Sequence, residues 1–241
     1  MYMVNYTSDD FKSNLSKSQV VIIPIGSVEA HGHHLPLGTD VFSPRLFCEL
    51  LEKKIGGEIW IAPEVPYGQS FDLSVYPGTI HVPSQVLAEY LFYVAKSMAD
   101  NGIKKVIFLN GHGGNINALN LTSERLMTLG IDVTIINWWL DFSKEILTVT
   151  EGQGHAGEDE TSAILYYDEK LVQMDKAMKN TKRPTFRVYF KDRGKVIYEN
   201  ALSGDATLAT REKGEKIFKL LVDKIIQVVH AMKDEKYYTE E

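Results

Sequence analysis

The strongest constraint on the fold is a repeated arrangement, in which an apolar run leads directly into a loop rich in glycine, histidine and carboxylates. The run Val20–Ile25 is followed within a few residues by Glu29 and His31, and the run Lys105–Leu109 leads into NGHGGN, residues 110–115. Strands that are buried on both faces of a parallel sheet are continuous apolar runs. Their carboxyl ends lie at one edge of the sheet, where α/β proteins place their sites. We therefore expect these loops to form one site.

Strand-like and helical segments alternate along most of the chain, which predicts an α/β fold with a mostly parallel central sheet. No repeat, low-complexity block or linker divides residues 1–241, so we expect a single domain. Residues 168–207 carry the weakest pattern, with candidate strands at Arg187–Phe190 and Lys195–Tyr198. The other predicted strands are Val20–Ile25, Glu58–Ala62, Lys105–Leu109 and Ile131–Asn137, and the longer predicted helices are Ser43–Lys54, Gln85–Asn101, Ile116–Leu129 and Leu208–Met232.

Charge and composition argue against several classes of protein. The net charge is −6, with acidic and basic residues interspersed, so we expect no nucleic-acid partner. The N-terminal segment does not read as a signal peptide, and no apolar run approaches the ~20 residues that span a bilayer. These observations predict a cytoplasmic protein with no membrane partner. The single cysteine, Cys48, lies in an apolar helical pattern and is expected to be buried.

The loops contain residue types that bind transition metals. Glu, His and Asp suit Zn, Mn or Fe, rather than Ca or Mg alone. A third loop, HAGEDETS, adds His155, Glu158 and Glu160 ahead of another helical pattern. Two metal ions ~3.5–4 Å apart can polarise a carbonyl group and generate a hydroxide near neutral pH. Such a centre needs about five protein ligands, including a bridging carboxylate, and a group that moves protons.

Together, the motifs GSVEAHGHHLPLGTD, NGHGGN and HAGEDETS resemble the creatininase (creatinine amidohydrolase) family. The resemblance extends to PYGQSFDLSVYPGTI and SGDATLATREKG, and it covers roughly residues 18–215. It implies a Rossmann-like three-layer α/β sandwich and a centre of two divalent metal ions per chain (Zn, Mn or Fe). It further implies hydrolysis of a C–N amide bond, other than a peptide bond, in a small-molecule substrate. A homo-oligomer, commonly a hexamer, is also implied.

Four metal ligands follow from the resemblance when it is carried over residue by residue. Glu29 and His112 match ligands of one metal ion, and His31 matches a ligand of the other. Asp40 matches the carboxylate that bridges the two ions. The resemblance thus implies that ligands come from the loops after both apolar runs.

The fifth ligand is where the chain departs from the family. Creatininases proper carry a glutamate two residues after the histidine of NGHGGN, at the position of Gly114, and glycine cannot ligate through a side chain. Glu160 is the candidate for the missing carboxylate and for a part in catalysis, and Glu158 is the alternative. Leu73 is a second departure, at a position where the family often has histidine. Both departures make creatinine itself a poor candidate substrate.

The resemblance also supplies candidates for proton transfer and for substrate binding. His155 matches the histidine that shuttles protons during ring opening. Trp138 or Trp139 falls near the tryptophan that covers the substrate, although tryptophans at such positions also suit a core. Ser70 and Tyr67, in PYGQSFDL, are further candidates for contact with the substrate.

These expectations lead to the hypothesis of a metal-dependent amidohydrolase, in which an activated water attacks an amide carbonyl and His155 protonates the leaving nitrogen. The NGHGGN form also occurs in family members that remove a formyl group from a ribosylaminopyrimidine intermediate of flavin and deazaflavin biosynthesis. A formamide hydrolase is therefore one alternative, and peptide trimming in cofactor maturation is another. A non-catalytic metal-binding scaffold is the alternative of another class. A nucleotide binder is disfavoured because no G-x-G-x-x-G follows the first strand.

Overall fold

A four-stranded parallel sheet forms the centre of the computed structural model, which describes residues 1–186 and 188–238. Its strands are β1 (Val20–Ile25), β2 (Trp60–Ile61), β3 (Lys105–Asn110) and β4 (Asp132–Asn137), in the order β2-β1-β3-β4. Every neighbouring pair is parallel, and β1 pairs with β3 along its full length. The predicted parallel sheet is therefore confirmed, and the carboxyl ends of β1 and β3 lie side by side.

Helices cover both faces of this sheet and complete three layers. Those at Thr39–Ile55, Ser84–Asp100 and Ile116–Met127 lie in the crossovers that parallel strands require. No helix of residues 1–186 and 188–238 is long and apolar enough to cross a membrane. The helices are α1 (Ser8–Asn14), α2 (Thr39–Ile55), α3 (Ser84–Asp100), α4 (Ile116–Met127), α5 (Trp138–Asp141), α6 (Ser143–Ile146), α7 (Glu158–Asp168), α8 (Arg193–Ile197) and α9 (Arg211–Asp234).

Alternate side chains of β1 pack into two separate cores, one on each face of the sheet. Ile22 belongs to the core that includes Phe47 of α2 and Phe218 of α9, and Ile23 belongs to the core that includes Leu91 of α3. All five side chains are fully buried. Burial of such a side chain stabilises a fold by about 1.5–3 kcal/mol, so the double-sided burial explains why β1 is apolar at every position.

The sequence predicted the start of α2 less well than its middle. This helix begins at Thr39, ahead of the predicted Ser43, and its first turn therefore includes Asp40. Cys48 lies further along α2 and is buried, as predicted. The early start of α2 matters for the site, because it fixes the backbone of Asp40 against the sheet edge.

The segment between α7 and α9 differs most from its sequence pattern. It contains a small antiparallel sheet of β5 (Lys179–Asn180) and β6 (Gly204–Asp205), and α8 lies between these two strands in the chain. The predicted strand Lys195–Tyr198 is wrong, because Lys195–Ile197 belong to α8. Arg187 of the other predicted strand lies outside the described residues, and Val188–Phe190 form no strand. The helix is selected by tertiary contact, since Gly194 approaches Asp72 so closely that a Cβ atom would overlap the Asp72 carbonyl.

Candidate metal centre

Histidines and carboxylates from four segments meet at the edge formed by the carboxyl ends of β1 and β3. Glu29 and His31 follow β1, and His112 follows β3. Asp40 and Glu160 lie in the first turns of α2 and α7. With His155 they form three overlapping groups whose ligand atoms lie within 4.8 Å of one another: Glu29/Asp40/His112, His31/Asp40/Glu160 and Glu29/His31/His155.

Asp40 connects two of these groups through its two carboxylate oxygens. Its Oδ1 lies 2.9 Å from Nε2 of His31, and its Oδ2 lies 2.9 Å from Nδ1 of His112. Oε2 of Glu160 lies 3.6 Å from Nε2 of His31, and Oε1 of Glu29 lies 3.2 Å from Nδ1 of His112. Asp40 is therefore shared by two sets of potential ligands, each with one histidine and one further glutamate.

Two glycines at the strand ends allow Asp40 to come this close. Gly26 follows β1 and Gly111 follows β3, and a Cβ atom at either residue would overlap the carbonyl oxygen of Asp40. The two glycines lie side by side, since the N–H of Gly111 donates to the carbonyl of Ile25. The first turn of α2 consequently packs directly onto the ends of both strands.

Each histidine of the cluster uses one ring nitrogen to reach a backbone carbonyl. Nδ1 of His31 lies 3.1 Å from the carbonyl oxygen of Glu29, and Nε2 of His112 lies 2.8 Å from that of Gln69. Nε2 of His155 lies 2.9 Å from the carbonyl oxygen of Ala30. A carbonyl oxygen only accepts, so these nitrogens carry the proton and the other ring nitrogens face the carboxylates. Histidines that bind metals have the same arrangement, with the second N–H held by an acceptor.

Three carboxylate oxygens of the cluster lack the hydrogen-bond donors that buried carboxylate oxygens need. Both carboxylate oxygens of Glu29 and Oδ2 of Asp40 are buried without a hydrogen-bond partner. Buried polar atoms in native proteins are almost always satisfied, and a buried charge is costly unless it is paired or coordinates a metal. The orphaned oxygens, together with a mixed nitrogen and oxygen donor set, fit divalent transition-metal ions.

Buried charges also set the protonation of the cluster. Burial lowers the pKa of His31, but Asp40 and the neighbouring glutamates outweigh it and raise this pKa to about 10. The pKa of His112 is likewise raised well above its ordinary value, because Glu29 and Asp40 outweigh burial. Burial would raise the pKa of Asp40, but the charges of His31 and His112 hold it well below its usual range. Burial and the His31 charge hold the pKa of His155 well below 6.5, so its ring is neutral.

Glu158 and Glu160, the two candidates for the fifth ligand, lie two residues apart on α7 but face different partners. Of the two, Glu160 belongs to the ligand groups. Glu158 is 2.5 Å from Nζ of Lys213, and it accepts hydrogen bonds from the backbone N–H groups of Glu151 and Gly152. The structure therefore places Glu158 outside the cluster, where it anchors the loop before α7.

Three consecutive acidic residues together hold the loop that carries His155. Beyond the bonds of Glu158, Asp159 accepts from the N–H of Gly154 at 3.1 Å, and Glu160 accepts from the N–H of Ala156 at 2.6 Å. Burial raises the pKa of Asp159 to about 6. Burial also raises the pKa of Glu160 well above its ordinary value. The first turn of α7 thus fixes the backbone on both sides of His155.

A cavity of about 260 Å³ opens over the cluster, and only some of the predicted substrate-contact residues line it. Trp139 lines this cavity, whereas Trp138 is 1% exposed and packs in the core against Phe47. Ser70 lines the cavity, but its hydroxyl is bonded to that of Ser27. Tyr67 is 48% exposed and does not line the cavity, because its side chain lies at the surface.

The two departures from the family pattern both lie in the wall of this cavity. A Cβ atom at Gly114 would overlap the carbonyl oxygen of Gln69, the same oxygen that accepts from His112. A glutamate at residue 114 is therefore incompatible with the present path of the chain at Gln69. Leu73 is 4% exposed and packs with Tyr198, so this part of the wall is apolar.

Several residues that line the cavity were missed by sequence reasoning. Gln69 lies next to Ser70 in a motif that was already recognised, so this neighbour could have been included. Tyr198 and Ser203 come from the segment with the weakest pattern, and they reach the cavity through the packing of α8 and the β5-β6 sheet. No local signal in the sequence identifies them.

Comparison with known proteins agrees with the geometry. The family profile described as creatininase, creatinine amidohydrolase, matches residues 4–229. The chain is 32% identical over 227 residues to the mycofactocin precursor peptide peptidase of Mycobacterium tuberculosis, covering 89% of this chain and 86% of the relative. It is 27% identical over 233 residues to the creatinine amidohydrolase of Pseudomonas putida, covering 87% and 88%. A deformylase of Methanocaldococcus infernus, acting on 2-amino-5-formylamino-6-ribosylaminopyrimidin-4(3H)-one 5'-monophosphate, is 29% identical over 129 residues, covering 50% and 53%.

Solved structures share the same fold. A manganese creatininase superposes with a TM-score of 0.81 at 24% identity, over 97% of this chain and 98% of that one. A zinc form of a creatininase variant gives a TM-score of 0.82, also at 24% identity, over 97% of both chains. The predicted α/β fold is confirmed. The chain belongs to the creatininase (creatinine amidohydrolase) family, whose members include hydrolases that act on amide C–N bonds.

Proposed function

We propose that this protein is an amidohydrolase that works with two divalent metal ions per chain. The observation that carries the proposal is the position of Asp40, whose two oxygens each lie 2.9 Å from a different histidine. A carboxylate shared in this way suits a bridge between two ions. The unsatisfied oxygens of Glu29 and Asp40 support the same assignment, since these oxygens need a positive partner.

The ligands divide into two sets that share Asp40. Glu29 and His112 would hold one ion, and His31 and Glu160 would hold the other. Glu160 is preferred to Glu158 as fifth ligand because the latter is fully engaged by Lys213 and two backbone N–H groups. Two bound divalent ions would polarise the amide carbonyl and lower the pKa of a water molecule to near neutrality.

His155 is positioned to move the protons of the reaction. Its Nε2–H is held by the carbonyl of Ala30, which leaves Nδ1 as the free nitrogen, 3.6 Å from Oε1 of Glu29. The ring is neutral and lines the cavity, so Nδ1 can accept a proton from an attacking water. The same nitrogen can then donate that proton to the leaving nitrogen of the amide. The aromatic ring of Tyr198 packs edge-on against the imidazole of His155 and limits its rotation.

The substrate proposed here is an amide of a small molecule, with a formamide as the specific alternative. A peptide is a second candidate, because relatives that act on a precursor peptide match most of this chain. The cavity over the cluster adjoins a second one of about 350 Å³ that shares Gln69, Asp72, Gly113, Gly114 and Tyr198 with it. A cleft with two compartments suits a substrate larger than a single small ring.

The first experiment is elemental mass spectrometry of untagged protein, for wild type and for Asp40→Asn. We expect about two equivalents of Zn, Mn or Fe per wild-type chain, with both sharply reduced in the variant, because the bridge serves both ions. One equivalent in the wild type would replace the two-ion proposal with a mononuclear site. No metal under metal-replete conditions would contradict the proposal.

Turnover separates this proposal from a metal-binding scaffold. Metal-loaded wild type would be tested on a panel of formamides, cyclic amides and short peptides, with His155→Ala as the paired variant. Metal binding without turnover on the whole panel would favour the scaffold. A hexameric assembly and a cytoplasmic location stay predictions that rest on the family resemblance and the sequence; size-exclusion chromatography with light scattering would test the first.

A further inference from the structure

A passage joins the two compartments of the cleft, and the residues that line it on both sides are Gln69, Asp72, Gly113, Gly114 and Tyr198. The charge of Asp72 is paired with Arg193, and the two glycines carry no side chain. The ring of Tyr198 packs against His155. The proposed mechanism gives no task to the side-chain amide of Gln69, although a substrate that occupies both compartments would pass it.

The side-chain amide of Gln69 lies beside a histidine of the cluster. A Cβ atom at Gly114 would lie 2.6 Å from Oε1 of Gln69 and 2.5 Å from Nε2 of His112. The amide oxygen and the imidazole therefore flank the same point in the wall. Because His112 lines the compartment over the cluster, the Gln69 amide lies next to the space in which a substrate would be hydrolysed.

Glycine at residue 114 makes room for this amide. The amide oxygen of Gln69 occupies space that any side chain at residue 114 would need. The departure from the family pattern at Gly114 therefore leaves a neutral amide in this part of the wall. Such an amide both donates and accepts hydrogen bonds, whereas a carboxylate only accepts them.

The Gln69 side chain has no hydrogen-bond partner among residues 1–186 and 188–238, although the backbone N–H and carbonyl of this residue are both bonded. Gln153, next to the loop that carries His155, has the opposite environment. Its Oε1 accepts from the hydroxyl of Ser143 at 2.5 Å, and its Nε2 donates to the carbonyl of Trp139 at 2.8 Å. Gln153 is satisfied by the protein, whereas the half-buried Gln69 can offer its amide to a ligand.

A ligand that fills the passage removes water from the Gln69 amide. Covering its acceptor and its N–H donors without replacing their hydrogen bonds is unfavourable, so the passage discriminates against a ligand that lacks the matching groups. A charged group is not required, because the carboxylate of Asp72 is already paired. An amide is a neutral group that places a carbonyl beside an N–H, and it therefore matches both functions of the glutamine side chain.

We propose that the side chain of Gln69 binds a second amide group of the substrate, next to the amide that is hydrolysed. The proposal rests on the proposed function, since it describes the part of the substrate that extends from the metal centre into the second compartment. Gln69 acts as a specificity-determining residue and takes no part in bond cleavage. The second amide can belong to a peptide chain or to a ring, because both present the same donor and acceptor.

The contrasting explanation is that Gln69 only fills space in the wall, in which case ligands with and without a second amide respond alike to its substitution. Gln69→Met removes the donor and the acceptor at similar length, and it keeps the backbone carbonyl that accepts from His112. Gln69→Asn keeps the amide and shortens the side chain by one methylene group. Gln85→Met is the matched control, since Gln85 is exposed on α3 and lines neither compartment.

The test measures binding of three probes to metal-loaded protein by isothermal titration calorimetry. N-formylglycinamide carries the second amide on a chain, α-formamido-γ-butyrolactam carries it in a ring, and N-isobutylformamide replaces it with an isopropyl group. For a probe that is hydrolysed, kcat/KM takes the place of affinity. We expect wild type to prefer at least one amide probe to N-isobutylformamide by about tenfold, and Gln69→Met to abolish this preference. Gln85→Met should match wild type, and Gln69→Asn should retain part of the preference.

The outcome also identifies the setting of the second amide. Preference for N-formylglycinamide alone assigns a peptide-like chain, and preference for the lactam alone assigns a cyclic amide. Equal loss of all three probes in Gln69→Met would show a role in packing and overturn the proposal, as would a wild type without preference or without binding. Metal content is measured on the same samples, so a wild type that holds no metal would reveal failure of the proposed function separately.

Discussion

The surroundings of two buried glutamates in the first turn of α7 form two contrasting regions, which stabilise the two carboxylates in opposite ways. Glu158, 1% exposed, has a lysine ammonium and two backbone N–H donors around its carboxylate. Glu160, 9% exposed, has one backbone donor, and it faces Asp40 and a histidine that Asp40 also contacts. The carboxylate of Glu158 is satisfied by protein groups alone and needs no ligand. Around Glu160, the carboxylates of Glu160 and Asp40 bring negative charge together, and a bound cation would balance it.

This contrast shows that burial alone does not identify a functional carboxylate. Both glutamates come from the same motif, and the sequence left the choice between them open. The number and the charge of the donors around each carboxylate distinguish them, because a structural carboxylate is satisfied within the protein. The following predictions test whether that criterion separates the two regions.

The largest effect is expected from paired substitutions at these two glutamates. Glu158→Gln should lower the free energy of unfolding by about 3 kcal/mol, because the partly buried ammonium of Lys213 loses its counterion and two backbone N–H groups lose a charged acceptor. Glu160→Gln should change the stability of metal-free protein little and should remove about one equivalent of metal. Urea denaturation in EDTA and elemental mass spectrometry measure the two properties.

Reversal of that pattern would break the comparison. Loss of metal in Glu158→Gln with unchanged stability would make Glu158 the ligand and Glu160 the anchor. Lys213→Met serves as the matched control, because it removes the partner of Glu158 and should reproduce the loss of stability without altering the chemistry of the cluster.

A large effect on turnover alone is expected at His155. His155→Ala should lower kcat by about 10²–10⁴-fold, because it removes the group that carries the proton, and it should keep the metal content of the wild type. His155→Gln is the second variant, since its amide can retain the hydrogen bond to Ala30. Unchanged kcat in both variants would contradict the assigned role.

A moderate loss of stability is expected at Gly114. Gly114→Ala should lower the free energy of unfolding by about 3 kcal/mol, because its Cβ atom meets the Gln69 carbonyl that holds His112. Chemical denaturation of metal-free protein checks the value. Alanine at Gly152, around which no atom lies within 4 Å of the added Cβ, is the control and should cost much less. A stable Gly114→Ala protein would show that the Gln69 segment moves easily.

The smallest effect concerns His34, which is buried beside the site and bonded to Thr161. Burial, with the charges of His31 and His33, lowers the pKa of His34 to about 4. Between pH 6.5 and 4, His34 binds its proton more readily in the unfolded chain than in the folded protein. The contribution of neutral His34 to the free energy of unfolding is therefore fully present above pH 6.5 and is lost as the pH falls. His34→Gln should therefore lose about 2 kcal/mol less than wild type between pH 7 and pH 5, in denaturation measured with EDTA. Equal pH slopes for both proteins would refute this.

The sequence predicted the sheet and the loops at its edge because both depend on local patterns. Strands buried on two faces are apolar at every position, as in β1, and the ligand types follow directly after them. The start of α2 was placed too late because Asp40 is brought into the helix by contact with Gly26 and Gly111, which are distant in sequence. Asp40 itself was identified through the family resemblance.

The residues that sequence reasoning could not place are those selected by tertiary contact. Glu158 and Glu160 share one motif, and they are distinguished by partners distant in sequence, Lys213 of α9 for the first and His31 for the second. Trp138 and Trp139 are neighbours at the start of α5, and because adjacent residues of a helix face different directions, one lies in the core and the other lines the cavity. The strand predicted over Lys195–Tyr198 failed for the same reason, since α8 is fixed by its contact with the segment at Asp72.

The carbonyl groups that fix the three histidines have a consequence for how this site can evolve. All three acceptors are main-chain atoms, of Glu29, Ala30 and Gln69, so they persist whatever side chain stands at residues 30 and 69. Gln69 can therefore be exchanged, and the cavity wall reshaped, while the ring of His112 keeps its tautomer and its orientation. Single substitutions at such residues can therefore change the substrate without disturbing the catalytic centre. This property suits a family whose members act on creatinine, on a formylated pyrimidine and on a precursor peptide.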